Sequence, residues 1–496
     1  MARRLAASGL WLGVAKVTFL IAGYATSVVL SRLVEPTIFG NYGVLARLVA
    51  IPNMVIVQSL SFAVSRPLAN EYLQGMPSYF ALRRRGFRMA LLLGGLFGLG
   101  LWLGAGLISD QLHDETLALP LRLLAPISLL YALYAVNVGT LNAARSFLRQ
   151  AGLDIFMACT KASLIIGAAA LGWGLSGLSG AFTLASAAAL ALSVLLVRST
   201  RPTAKNHASE TPGLGSLVLA LLATTAAAQV LLSTDILLLK AFATDANARA
   251  SVGFYAGAQL VAMVPYSLLN AVNLLVFPLI ASLNALDPAH AQARRRYVSR
   301  TIEAMLLLIG GLAAVLSGGA QQVATIIFPA SYGQAAEDLR WLAFGYSGYA
   351  LGLNAVWILN SAGMARQALL LVVAVLGVAA SLHFVLIPDF AHRGADMAVL
   401  ASGIFAALLG VIALARTFGA RPAGMTFFKI AAATALTTVI GFLLADWTPF
   451  AGLWPQRILG LLELAGLFAF YLAFIVGSKA VSREFIAEIR GKGQVA

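Results

Sequence analysis

Long apolar runs broken by short polar or basic connections cover most of this chain. Fourteen can be marked: about 8–31, 41–65, 87–108, 120–143, 153–172, 177–197, 214–239, 252–283, 303–328, 339–361, 367–387, 396–415, 426–446 and 457–477. A helix that crosses a bilayer needs about 20 mostly apolar residues, and each run supplies them. The eighth is long enough to tilt or to begin with a surface turn, and 171–180 (LGWGLSGLSG) predicts a very tight hairpin. The pattern predicts an all-α polytopic membrane protein of about fourteen transmembrane helices.

Composition agrees. Of 496 residues, 60% are hydrophobic and 11% charged, against about 25% charged in soluble chains. The first apolar run has no A-x-A-like cleavage site and a second follows at once, so no cleavable signal peptide is expected. One cysteine, Cys159, excludes an intramolecular disulfide framework and a Cys-based metal site. The net charge of +15 raises nucleic acid as a partner. The basic residues, however, form short clusters between apolar runs, the pattern of cytoplasmic loops, and no nucleic-acid role is expected.

Placing the N-terminus in the cytoplasm puts most of the 34 basic residues inside, in segments such as FALRRRGFR and ARRRYVSR. The outside loops then hold only Arg32, Lys240, Arg249, Arg340, Arg393 and Arg457. This bias favours fourteen spans with both termini cytoplasmic. The polar stretch RSTRPTAKNHASETPG reads as a linker, and the end VSREFIAEIRGKGQVA as a short amphipathic surface helix. The expected division is a six-helix lobe over 1–198, a cytoplasmic linker at 199–213, a second six-helix lobe over 214–417, and two extra spans with a tail over 418–496.

An internal repeat supports the two lobes. A shift of 213 residues lays Gly40-Asn41-Tyr42 on Gly253-Phe254-Tyr255, Pro52 on Pro265 and Lys16 on Gln229. A shift of 218 lays Leu121-Arg122 on Leu339-Arg340 and Tyr131-Ala132-Leu133 on Tyr349-Ala350-Leu351. An even number of spans separates the copies, so the repeats are parallel. Arg122 then falls at the outer interface with Arg340, and Lys429 snorkels near a span end. The deep cations that remain are Lys16, Arg47 and Lys161, all in the first lobe. Their counterparts for Lys16 and Arg47, Gln229 and Leu260, are uncharged.

SRLVEPTIFGNYGVLA, the stretch from Ser233 through Ala285, and LNAARSFL together resemble the polysaccharide-transporter branch of the multidrug/oligosaccharidyl-lipid/polysaccharide exporter superfamily. The resemblance runs over nearly the whole chain. It implies a V-shaped pair of lobes and alternating access. It also implies flipping of undecaprenyl-diphosphate-linked oligosaccharides, such as O-antigen or exopolysaccharide units, across a bacterial inner membrane. Membrane lipids and polymerase or export machinery are the implied partners.

Such a cargo carries a diphosphate that cannot cross hydrocarbon unpaired. A cation inside a span costs roughly 2.5–3.5 kcal/mol by insertion scales, so it normally faces a polar cavity or a partner. Lys16, Arg47 and Lys161 are therefore the candidate diphosphate ligands, Arg47 offering a planar fork. The plainer reading is that each pairs with a carboxylate or carbonyl and fixes helix packing. Asp235, in the outer half of the seventh span, has three readings: a coupling site for protons or sodium, an ion pair across the lobes, or helix packing. Asn53, Gln58, Asn137, Gln229, Asn270, Asn273 and Asn354 are candidates to line a cavity and bind sugar hydroxyls, or to join helices. Pro52, Pro265 and Pro278 are expected to kink or loosen their spans.

There is no G-x-x-x-x-G-K-[ST] motif, no Ser–His–Asp arrangement and no metal-ligand spacing. A transporter without cofactor, rather than an enzyme, is expected. The alternatives are a lipid II flippase, a cation-coupled multidrug exporter and a non-transporting membrane scaffold. A lipid II flippase usually carries a buried basic residue in the eighth span, where this chain has none.

Overall fold

The structure, a computed structural model, describes residues 2–74, 78–198, 215–269, 291–445 and 455–480. The expected linker at 199–213, Asn270, Asn273, Pro278 and the amphipathic tail lie outside the described residues. Among those described there are helices and no strands, and thirteen helical segments are long and apolar enough to cross a membrane.

The first compact unit runs Met1–Gly253. Its helices are α1 (Ala2–Leu33), α2 (Pro36–Gln74), α3 (Ser78–Gln111), α4 (Ala118–Leu124), α5 (Pro126–Ala143), α6 (Phe147–Ala170), α7 (Gly174–Arg198), α8 (Gly215–Phe242) and the start of α9 (Ala246–Ala262). Pro36 sits at the first position of α2, where its missing N–H costs nothing. Pro52 lies within α2, which the helix assignment carries unbroken from Pro36 to Gln74. The predicted hairpin at 171–180 is present: Gly172 and Gly174 turn the chain with φ of 69° and 60°, values that a side chain at either position would strain.

Helix α5 is the centre of this unit, packed against α2, α3 and α7. Ile56, Leu60 and Val64 of α2 interlock with Ala132, Ala135 and Val136 of α5 and Ala90 of α3. The polar side chains Asn137, Thr140, Ser186 and Ser193 are buried, whereas Leu92, Leu96, Leu99, Leu103 and Leu107 of α3 are exposed at helical spacing. Apolar outside and small polar groups between helices is the arrangement that lipid favours.

The second unit, Phe254–Ala496, contains the rest of α9, then α10 (Ala291–Gly318), α11 (Ala320–Ile327), α12 (Gly333–Ser361), α13 (Ala365–Phe418), α14 (Gly424–Leu444) and α15 (Gln456–Gly477). Gly345, Gly348 and Gly352 of α12 meet Val399, Gly403 and Ala406 of α13 backbone to backbone. A Cβ at Gly348 or Gly403 would collide with the facing carbonyl, so small residues set this approach. The two C-terminal helices pack on α10 and α11, where Tyr471 donates to the Leu307 carbonyl at 2.7 Å.

The eleventh and twelfth runs form two helices, as expected, joined within α13 by a non-helical kink at Ala391 (φ 50°, ψ −128°) just after Pro388. The chain divides into compact units after Gly253, and within the first of them α8 packs along α2. One residue, Lys240, differs from expectation. Assigned to an outside loop, it belongs to the last turn of α8 and is fully buried. The repeat-related arginines behave alike: Arg122 lies 5.6 Å over the Trp102 ring and Arg340 5.4 Å over that of Phe442.

Candidate substrate site

Two of the three deep cations converge on α6. Helix α1 packs along it, which brings the Lys16 Nζ to 3.8 Å from the Asp154 Oδ2. The Tyr134 hydroxyl of α5 donates to the other oxygen of Asp154 at 3.0 Å. The Lys16 side chain nevertheless stays 56% exposed, and a pair this open and this long contributes at most about 1 kcal/mol. Its ammonium therefore remains available to a stronger anion.

Lys161 lies two turns beyond Asp154 on the same helix, a spacing that returns to nearly the same face. Its Nζ sits 3.7 Å from the ring centroid of Phe182 on α7, a cation–π contact that offsets part of its desolvation. Phe182 meets Tyr131 edge-on at 6.4 Å, and Tyr131 lies 6.3 Å from Tyr134. Lys16, Asp154, Tyr134, Tyr131, Phe182 and Lys161 thus form one connected rim drawn from α1, α5, α6 and α7. The sequence reading missed the aromatic part. Tyr131 and Tyr134, three apart on one helix face, were the available signal.

Arg47 is half-buried on α2 and engaged in contacts. Gln58, three turns further along the same face of α2, accepts a hydrogen bond from Thr225 of α8 at 3.3 Å. Half-buried Gln229 follows Thr225 by one turn. Asn53 is buried, and its Oδ1 has no hydrogen-bond partner among the described residues. Asn137 is fully buried between helices, donating to Ser193 at 2.9 Å and accepting from Arg83 at 3.3 Å. Asn354 lies apart in the second unit and donates to the Ala350 carbonyl of its own helix at 2.8 Å. Asp235, in α8, is buried and engaged in contacts. The structure therefore joins Lys16 to Lys161 through α6, and Gln58 to the α8 face carrying Gln229.

A second constellation closes one end of the first unit. The Lys240 Nζ lies 2.7 Å from the Asp114 Oδ2, with both side chains nearly or wholly removed from solvent. Asn41 of α2 donates to the same oxygen at 2.9 Å, and Thr116 donates to the other through its hydroxyl and its backbone N–H. Arg249 of α9 donates to the His113 carbonyl at 2.6 Å, and the His113 ring reaches the Ala241 carbonyl at 2.9 Å. Beside them Gly40 and Gly253 touch backbone to backbone. Burial works against the Asp114 charge, but the Lys240 ammonium, Thr116 and Asn41 outweigh it and hold the carboxyl down at about 2. The polar break QLHDET between two apolar runs was the local signal for Asp114.

A bundle of long apolar helices with buried cations and amides between them defines a multi-pass membrane protein. The fold is similar to that of a lipid II flippase, MurJ, in an inward closed conformation: TM-score 0.72, 13% identity, 95% of this chain and 100% of that one covered. It is also similar to multidrug resistance MATE family transporters of the MOP superfamily. An outward-facing one gives TM-score 0.61 at 14% identity over 83% of this chain and 95% of that one. An inward-facing one gives 0.58 at 15% over 82% and 98%. The chain belongs to the family described as "Polysaccharide biosynthesis protein", which it matches over residues 29–337. No curated protein matches it in sequence.

Proposed function

We propose that this protein is a flippase that carries polyprenyl-diphosphate-linked oligosaccharide units across a bacterial inner membrane by alternating access, for assembly of an O-antigen or exopolysaccharide. In this reading Lys16, Arg47 and Lys161 receive the diphosphate, and Asn53, Gln58, Gln229 and further amides meet the glycan. The lobes are 1–198 and 214–417, with two further spans after them and both termini cytoplasmic. Asp235 serves coupling or lobe–lobe pairing.

One observation carries the proposal. Lys16 lies within the apolar span of α1 yet keeps its side chain 56% exposed and only loosely paired, at 3.8 Å from Asp154. A cation retained solely for packing would be buried against its partner, as Lys240 is. A diphosphate brings at least two negative charges and replaces the Asp154 contact with charge-assisted hydrogen bonds. Membership in a polysaccharide biosynthesis family supports a glycan on the lipid.

Lipid II is the second reading, favoured by the extent of the MurJ likeness, which spans 95% of this chain. Both cargoes share the diphosphate, so the cationic rim serves either. In cells, Lys16→Ala and Arg47→Ala should abolish glycan export at unchanged protein levels. Normal surface glycan from both variants would overturn the assignment. Loss of viability with glycan intact would move it to lipid II.

A further inference from the structure

The second unit holds a cluster of ligating side chains that the flippase reading does not use. On α13, His392 and Asp396 stand four residues apart beyond the bend at Ala391, hence on one helix face. From the facing α12, Asp338 reaches the His392 Nδ1 with its Oδ1 at 2.7 Å and shares a hydrogen bond with Asp396. One ligand atom from each of the three lies within 4.8 Å of the others. Asp338 is fully buried and Asp396 nearly so, while the His392 side chain is 21% exposed and opens the cluster to solvent.

Two carboxylates buried side by side need a counter-charge. Arg393, next in sequence to His392, does not supply it, because it pairs with the exposed Glu337 at 3.4 Å. A protonated His392 supplies one positive charge, and a divalent cation held by neutral His392 supplies two. One imidazole nitrogen and two carboxylate oxygens form a donor set suited to Zn²⁺ and neighbouring first-row divalent ions. Ligands about 2.0–2.2 Å from a tetrahedral zinc stand about 3.4 Å apart, between the 2.7 Å of the His392–Asp338 contact and the 4.8 Å that bounds the cluster. Gln334 donates to the outer oxygen of Asp338 at 3.2 Å and so orients it. At the bend, Gly394 packs directly on the Leu386 carbonyl.

We propose that Asp338, His392 and Asp396 form a divalent transition-metal site, completed by water, that staples α12 to the bend of α13. The ion ties α12 to the kink at Ala391, where the two helices of α13 meet.

The test uses full-length, tag-free protein in detergent, stripped with a chelator and titrated with Zn²⁺ against a fluorescent competitor and with Co²⁺ by visible absorption. One Zn²⁺ should bind per chain, with a tetrahedral Co²⁺ spectrum and a Tm raised by roughly a few degrees. His392→Ala and Asp396→Asn should each weaken binding about tenfold or more. Glu337→Gln, which removes a nearby exposed carboxylate, should leave it unchanged. His392→Gln substitutes if His392→Ala does not elute as a monodisperse protein. No saturable binding by the wild type, or equal weakening by all three variants, would overturn the proposal.

Discussion

Two lysine–aspartate pairs in the first unit show how one chemistry serves opposite ends. Lys240 and Asp114 meet at 2.7 Å with almost no solvent contact, and Asn41 and Thr116 satisfy the remaining acceptor positions of the carboxylate. Lys16 and Asp154 stand 3.8 Å apart with the lysine half in the open. The first pair spends its charge inside the protein and ties α2 and α8 to the turn that follows α3. The second leaves a cation unspent within an apolar helix. Depth in a span does not separate the two roles; the completeness of the partner shell does.

The largest effect should come from breaking the closed pair. Lys240→Ala strands the Asp114 carboxylate in a dry site and should cost about 3–5 kcal/mol, read as a lowered Tm in detergent. The double variant Asp114→Leu with Lys240→Met removes both charges and should recover most of that loss. A Tm for Lys240→Ala within a degree of wild type would show that the pair is not closed in solution.

The open pair should respond the other way round. Lys16→Ala with Lys161→Ala should leave Tm nearly unchanged and cut lipid transport at least about tenfold, some 1.4 kcal/mol in transition-state terms. A large loss of Tm with normal transport would move both lysines to the structural side of the comparison. Tyr134→Phe tests how Asp154 is held. Removing the 3.0 Å hydrogen bond should cost about 1 kcal/mol in stability and let Asp154 compete more strongly for Lys16, slowing transport modestly.

The smallest effect is on pH dependence. Asp114 is held at about 2, below its ordinary value of 3.8. Its folded-state carboxyl binds a proton less readily than the unfolded one does, so its stabilisation is complete above about pH 4. That stabilisation is lost progressively as pH falls toward 2. The double variant without Asp114 and Lys240 should lack this acid-limb slope in a Tm-against-pH series, and an unchanged slope would contradict the shift.

The spans were legible because length and apolarity are local properties, and the hairpin at Gly172 and Gly174 because only glycine takes such φ values without strain. Lys240 was not. Following three leucines at the end of a run, it reads as an interfacial residue, and its burial depends on Asp114, 126 residues earlier. The same holds for the packing of α8 on α2, which depends on contacts such as Thr225 with Gln58 that no periodicity announces. Tyr131 and Tyr134 looked like ordinary apolar positions until Phe182 and Asp154 arrived from other helices. The two halves of α13 were legible as the runs 367–387 and 396–415, because each is apolar enough to be a span alone.

The most direct measurement is transport of a fluorescent short-chain polyprenyl-diphosphate oligosaccharide in proteoliposomes, scored by probe access at the outer leaflet. Wild-type protein should move the lipid well above the protein-free rate, Asp114→Leu with Lys240→Met should still move it, and Arg47→Ala and Lys16→Ala with Lys161→Ala should fall to background. Wild-type transport no faster than protein-free liposomes, or full-rate transport without the cations, would contradict a diphosphate-bearing lipid as the cargo of this site.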